Sequence, residues 1–420
     1  MNTRFLPEWG YLRAVTVAVL AHVACLTFPV VLRAEVNPAI FHPPFRIEVN
    51  GKPFDTGLTG HAGPCVFDVN GDGLDDLVVG GYGGTFRILL NGGTPGKPRY
   101  TDGGVLEAGG IPAKVRIYCC IAAQPRFCDL DGDGLEDMLA NSYDPGHCHF
   151  FKGQTDGRFA AGEELIDTSG APVRAYPRQE NKSLSYGSFF TPVDWDDDGD
   201  LDLLIGCGDG SLKRRLNQGA AQAPAFAADD VAFLDPAGDL LRVPGKHFCP
   251  TVADWDGDGR WDILSGSIEG GVWWFRNVGE RNAPRLAAAE CLVDPPSWPF
   301  SLSTRPVPGS RTQPVVTDHD GDGRLDLIVG DYRLEYVCKP NLSPDELHTC
   351  ETLFASFAAA SQAPEREETE LQRTKSAFEE YIRPRLRQRY RYKVIVEDGS
   401  TEEREDLYLA RGNVWVYLRR

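Results

Sequence analysis

The sequence predicts an all-β chain built from a repeated unit, on three observations. An Asp/Gly loop recurs five times at near-constant spacing, a short apolar run follows each copy, and turn residues are in excess. The 45 Gly and 30 Pro among 420 residues show no Gly-X-Y period, so they mark turns rather than a collagen-like helix. Hydrophobic residues at 42% and aromatic residues at 10% supply enough core to exclude global disorder. The 61 Asp and Glu outweigh 43 Lys and Arg, giving a formal charge of -18. That balance argues against a nucleic-acid partner, because phosphate contacts need a basic footprint.

Residues 1–34 read as a signal peptide. Arg4 and Arg13 precede an apolar run from Ala14 to Leu32, and Arg33-Ala34 follows as the cleavage region. The run is also long enough for an uncleaved membrane anchor, and only in that case is a membrane a partner. Either reading puts the rest of the chain outside the cytoplasm, secreted, periplasmic or at the cell surface, where calcium is abundant and disulfides are permitted.

The five loops begin at Asp68, Asp129, Asp194, Asp254 and Asp318, with separations of 61, 65, 60 and 64 residues. Side-chain oxygens fall at positions 1, 3, 5 and 9 of each. They belong to Asp68, Asn70, Asp72 and Asp76; Asp129, Asp131, Asp133 and Asp137; Asp194, Asp196, Asp198 and Asp202; Asp254, Asp256, Asp258 and Asp262; and Asp318, Asp320, Asp322 and Asp326. Position 6 is always Gly, as a sharp turn requires. Position 7 can lend a backbone carbonyl, from Leu74, Leu135, Asp200, Arg260 or Arg324. Such an oxygen-only cage suits Ca²⁺ better than Mg²⁺, and the lack of recurrent His or Cys disfavours zinc. About five Ca²⁺ are therefore expected, which would bring the formal charge from -18 to about -8.

An EF-hand would need a bidentate Glu at position 12 and flanking helices. Position 12 is Val79, Ala140, Ile205, Ser265 and Val329. Strand-like runs follow instead, as in Leu77-Val-Val-Gly80 and Leu327-Ile-Val-Gly330, then a Gly-rich turn and a second run such as Val272-Trp-Trp-Phe-Arg276. On these residues the chain resembles the FG-GAP (VCBS-type) repeat family over roughly residues 36–335 and 405–420. The resemblance implies a calcium-bearing β-propeller of four-stranded blades, like the heads of integrin α chains. It implies much less about activity, since one fold serves many functions.

Each blade then needs an outer strand, and Pro98-Arg-Tyr100, Gly157-Arg-Phe159, Pro224-Ala-Phe226 and Pro284-Arg-Leu286 are its expected starts. A fifth, Pro44 to Val49, precedes any loop, while Gly412 to Arg419 looks like a third strand with no fourth after it. Five blades closed by the N-terminal strand follow, with seven blades as the alternative form. The propeller is expected over residues 35–340, a helical insertion over 341–403 and a closing strand over 404–420. Within the insertion Ser343-Pro-Asp-Glu346 is a capping box, and a charged second helix ends before Pro384. Arg383, Arg385, Arg387, Arg389, Arg391 and Lys393 form a basic stripe, expected to pair with Glu365 to Glu380 and the propeller's acids. Cys338 and Cys350 are the best candidates for a disulfide.

A ligand is expected at the channel mouth, opposite the calcium loops. His61, His247 and Arg311 stand seven residues before a loop, and Tyr118 and Tyr186 lie nearby. His, Arg and aromatic residues suit a sugar or carboxylate, and satisfied structural residues are the plainer alternative. There is no nucleophile elbow, zinc-peptidase helix or phosphate loop. The expected function is thus a binding or adhesion module for polysaccharide or extracellular protein. The alternative is a polysaccharide lyase or related enzyme acting at the mouth.

Overall fold

The computed structural model describes residues 37–420 except 58–59, 117–120, 144, 177–186, 282, 305, 364–367, 388 and 396–400. Five antiparallel blades follow one another. Blade one comprises Ala62–Phe67, Asp76–Gly81, Phe86–Asn91 and Tyr100–Val105. Blade two comprises Pro125–Cys128, Asp137–Asn141, Cys148–Phe151 and Glu163–Glu164. Blade three is Phe189–Val193, Asp202–Gly206, Leu212–Arg215 and Val231–Ala232, and blade four is Cys249–Ala253, Asp262–Gly266, Val272–Phe275 and Glu290–Val293.

Blade five is assembled from both ends of the sequence. Ser310–Thr317 pairs with Asp326–Tyr336, which pairs in turn with Val414–Tyr417, and Phe45–Arg46 then adds on the outside, Phe45 opposite Val416 and Arg46 opposite Trp415. The expected N-terminal closure and the count of five blades both hold, and the seven-bladed alternative falls.

Strand alternation explains why the ring is stable. Odd and even residues of each second strand face different neighbours. Leu77 and Val79 pack with Ile328, Val414 and Val416 of blade five, whereas Val78 packs with Met138 and Phe151 of blade two. Equivalent cores join blades two and three (Leu139, Phe190), three and four (Leu204, Ile263), and four and five (Leu264, Val329). Five shared cores, one per junction, leave no blade face unpaired.

The Gly that ends most second-strand runs has a packing reason. A Cβ on Gly80, Gly206, Gly266 or Gly330 would lie 1.8–2.1 Å from a backbone oxygen at the start of the next blade. Blade two carries Asn141 there instead, and its Oδ1 accepts the Gln124 N–H at 2.5 Å. Side chains also span the axis. Gln124 Nε2 donates to Pro64 O of blade one (3.0 Å), and Arg126 of blade two and Thr191 of blade three both donate to Pro250 O of blade four.

The outer strands depart from expectation in blades two to four. Phe159, Phe226 and Leu286 make single bridges to Gly153, Asn217 and Asn277, and the outer strand forms only a few residues later. Phe41 is the matching residue of blade five, bridging Arg419 three residues before Pro44. These apolar residues are buried, so their side chains fix where the chain turns back.

Residues 339–386 form a separate unit. Helix α1 (Pro344–Gln362) begins with the expected capping box, Ser343 Oγ accepting from Glu346 N and Glu346 Oε2 from Ser343 N. Helix α2 (Glu368–Ile382) packs Phe378 against Phe354 and Phe357, with ring centroids 5.3 and 5.9 Å apart. The rest of the expected helical insertion is a β-hairpin, Tyr390–Ile395 with Thr401–Asp406, in which Arg391 lies opposite Glu405 and Lys393 opposite Glu403. Of the basic stripe, Arg385 reaches Glu346 at 3.2 Å and Arg389 reaches Glu405 at 3.4 Å, acids outside the expected Glu365 to Glu380. Cys350 is a buried free cysteine, which overturns the expected bridge to Cys338. Among the described residues no helix is long and apolar enough to cross a membrane; the run from Ala14 to Leu32 lies outside them.

Candidate functional site

Each acidic loop joins the first two strands of a blade and is wired internally in the same way. The position-1 Asp accepts the N–H groups of positions 5 and 6, as Asp254 does from Asp258 (2.9 Å) and Gly259 (2.9 Å). The position-5 Asp accepts the N–H of position 7, as Asp72 does from Leu74 (2.9 Å) and Asp322 from Arg324 (2.9 Å). The chain can turn this tightly because the position-6 Gly has φ between 83° and 95° in every copy. Position 4 is also left-handed, a second constraint on the turn. Gly71, Gly132, Gly257 and Gly321 fill it in four loops, while Asp197 adopts φ 64° in the third.

Position 9 differs in kind. Asp76, Asp137, Asp202, Asp262 and Asp326 are all buried at the start of the second strand. One oxygen of each accepts an N–H at or just after the end of the third strand, from Asn91, Gly153, Asn217, Asn277 and Arg419, at 2.6–2.8 Å. The other accepts from position 2 in four loops, and from Trp274 Nε1 at 3.0 Å in loop four. These acids are therefore clasps between loop and blade. Burial pushes their carboxyls up, that of Asp202 to about 7.

In four loops three carboxylates bring oxygens within 4.8 Å of one another: Asp129, Asp131 and Asp137; Asp194, Asp196 and Asp198; Asp254, Asp256 and Asp258; Asp318, Asp320 and Asp326. Loop one replaces an acid with Asn70, whose amide donates to Asp72 at 2.9 Å. Several of the gathered oxygens are buried without a hydrogen-bond donor, namely Asp131 Oδ1, Asp196 Oδ1 and Asp256 Oδ1, and so is Asp200 Oδ1 at position 7 of loop three. An orphaned carboxylate oxygen facing other carboxylates is costly unless a cation meets it. The all-oxygen donor set and these orphans fit a hard divalent ion.

The expected mouth residues lie at the opposite ends of the first strands. His61, His247 and Arg311 share left-handed backbone (φ 64°, 60° and 55°), as does Gly187 at the same place in blade three. They serve the blade crossovers, since Gly187, His247 and Arg311 each donate a backbone N–H to the preceding blade, at Tyr143 O, Gly208 O and Ile268 O. The ring places His61 beside Arg311, Nη1 to Nε2 at 2.6 Å, and Arg311 lies over Tyr332 at 4.3 Å. His61 is only 4% exposed and His247 7%. Burial, reinforced by the Arg311 charge, holds His61 well below the usual imidazole range and His247 down to about 4, so both rings are neutral at pH 7. His247 stacks near Tyr143, with centroids 5.3 Å apart. Tyr118 and Tyr186 lie outside the described residues.

Sequence reasoning missed three asparagines. Asn91, Asn217 and Asn277 follow the third strands, and Oδ1 of each accepts two N–H groups of the next turn, from Gly93 and Arg99, Gly219 and Ala225, and Gly279 and Arg285. The recurrent Asn-x-Gly at these places was the available signal.

The profile of the FG-GAP-like repeat matches residues 254–329. Integrin alpha-PS2 of Drosophila melanogaster is 27% identical over 248 residues, covering 52% of this chain and 17% of the integrin, so the likeness spans a small part of that relative. Among solved structures, the Tc holotoxin pore of Photorhabdus luminescens shares 22% identity at a TM-score of 0.31, over 70% of this chain and 12% of that one. The GH43_1 enzyme of Xanthomonas citri complexed with xylotriose shares 15% at a TM-score of 0.33, over 66% and 83%. Both scores are too low for either likeness to bear on fold or activity. Five Asp-loop blades in a closed ring, the repeat matched over residues 254–329 and the partial likeness to an integrin alpha chain together support an FG-GAP repeat β-propeller.

Proposed function

We propose that this chain is an exported, calcium-stabilised propeller that acts as a binding module for polysaccharide or extracellular protein. The observation that carries the reading is the set of buried, donor-less carboxylate oxygens gathered in the loops, above all at Asp131, Asp196 and Asp256. Side chains at positions 1, 3, 5 and 9, with the backbone carbonyls of Leu74, Leu135, Asp200, Arg260 and Arg324, would hold about five ions. Bound calcium supplies charge neutralisation and cross-linking within each loop, and no chemistry on a substrate. The integrin relative supports a surface or extracellular setting and a macromolecular partner. His61, His247 and Arg311 mark the face offered to that partner, the end of the ring away from the loops.

Thermal melting with chelator, then with calcium restored, tests the reading. An ion that binds only the folded state raises its stability by mass action, so the melting point should rise by several degrees with calcium and less with magnesium. A melting point indifferent to chelation would reduce the loops to ordinary turns. A glycan array and an extracellular-protein panel, screened with the calcium-loaded chain, then identify the partner class.

A further inference from the structure

The five loops are not electrostatically equal: besides the position-7 arginines of loops four and five, Arg260 on Asp258 and Arg324 on Asp322, one place at the end of the third strand sets them apart. The residue preceding the N–H clasped by the position-9 Asp is Leu90 in blade one, Leu216 in blade three and Leu418 in blade five. In blade two it is Lys152 and in blade four Arg276. Both cations turn onto the acids of their own loop. Lys152 Nζ contacts Asp131 and lies 2.8 Å from Asp133. Arg276 Nε lies 2.6 Å from Asp256 Oδ2, and its Nη2 3.5 Å from Asp258. Positions 3 and 5 are thus reached by a tethered positive charge in both blades. Loop four has a second one, since Arg260 contacts Asp258.

Loop three is the opposite extreme. It has acids at positions 1, 3, 5, 7 and 9, and among the described residues no ion pair reaches any of them. The nearby Arg281 pairs instead with Asp197, 3.0 Å away, which occupies the outward position 4.

We propose that Lys152 and Arg276 are built-in counter-ions that make loops two and four weak calcium sites, while loop three fills first. The inference rests on the proposed calcium reading of the loops. Affinity in oxygen cages follows ligand charge, and a tethered cation opposes a divalent ion both by occupying carboxylate oxygens and by repulsion after displacement. Both side chains are nearly half exposed, so water screens the effect to about tenfold in affinity. When calcium is scarce, blades two and four keep their loops charge-balanced without metal, and the propeller passes through defined partly loaded states.

Terbium and calcium titrations of the full chain test this. Trp195 and Trp255 sit between the first two ligand acids of loops three and four, so sensitised terbium emission reads those loops. The expected isotherm has an early phase from loop three and a late one at roughly tenfold higher terbium. Arg276→Leu, which installs the residue type of blades one, three and five, should draw the late phase into the early one, and Arg276→Gln should do so in part. Lys152→Leu should leave the emission unchanged and add one tight site in calcium calorimetry. A late phase that stays in place in both Arg276 variants, or no added tight site in Lys152→Leu, overturns the inference. Absence of terbium emission and of calcium heat in the unmodified chain would instead overturn the metal reading, and this inference with it.

Discussion

Asp262 Oδ1 accepts the backbone N–H of Asn277 at 2.7 Å, tying the end of an acidic loop to the end of a strand two crossings later. Its Oδ2 takes Trp274 Nε1, so a buried acid of the loop spends its oxygens on the protein itself. Asp256, in the same loop, has no donor on its buried Oδ1, and its Oδ2 meets only the half-exposed Arg276. Asp262→Ala should therefore cost about 3 kcal/mol or more whether or not calcium is present, since two buried hydrogen bonds to a charged group are lost. Asp256→Ala should change the chelated protein's stability by no more than about 1 kcal/mol, since only the half-exposed pair with Arg276 is lost, and abolish most of the calcium-dependent gain at that loop. Denaturant midpoints of both variants, with calcium and with chelator, check the contrast; equal calcium dependence would remove the distinction.

The glycines separate into two kinds by the same reasoning. Gly206 has ordinary backbone but no room, a Cβ there falling 1.8 Å from Phe248 O. Gly259 has open space and φ +85°. Gly206→Ala is expected to cost about 3 kcal/mol or more by pushing blades three and four apart, and Gly259→Ala about 1 kcal/mol of backbone strain. Urea unfolding of the two variants should rank them in that order.

Acid should weaken the ring through its buried histidines. His247 is neutral in the fold down to about pH 4, because burial and then Arg311 disfavour its charge. The unfolded chain, with an ordinary imidazole, binds the extra proton from about pH 6.5 downward. Stability contributed at neutral pH is therefore lost as pH falls through that window, by about 2 kcal/mol at pH 5 for one such group. His247→Asn, which also suits left-handed backbone, should flatten the pH dependence between 7 and 5 at saturating calcium. An unchanged slope would mean that His247 does not titrate as its burial implies.

Phe41 is the latch of blade five, 1% exposed and packed against Trp255 and Tyr417 with ring centroids 6.3 and 5.9 Å away. Phe41→Ala should cost about 3–5 kcal/mol. Amide exchange should rise first over Val414–Tyr417, the strand that loses its outer partner, rather than in blades two and three.

What could be read from the sequence was whatever is encoded in consecutive residues. The loop ligands alternate within nine positions, and the odd strands at the two ends declared their need for each other, so repeat, ring and closure were legible. The outer strands were not, because Phe159, Phe226 and Leu286 act as single buried bridges to a residue across the blade. The spacing of His61, His247 and Arg311 was visible, but their left-handed backbone and burial arise from the crossover to the neighbouring blade. Lys152 and Arg276 were likewise silent, since only the folded blade brings residues about 20 positions apart together, Lys152 with Asp131 and Arg276 with Asp256.

Blade five also sets an order of events during synthesis. Its outer piece, Phe45–Arg46, emerges from the ribosome long before Val414–Tyr417, its hydrogen-bonding partner. Four blades can take shape as they appear, yet the circle stays a crescent with an open seam until Val414–Tyr417 has been made. Bringing together segments so distant in the chain is slow, and the unsealed rim between blades five and one is where a nascent molecule is most exposed to wrong pairing.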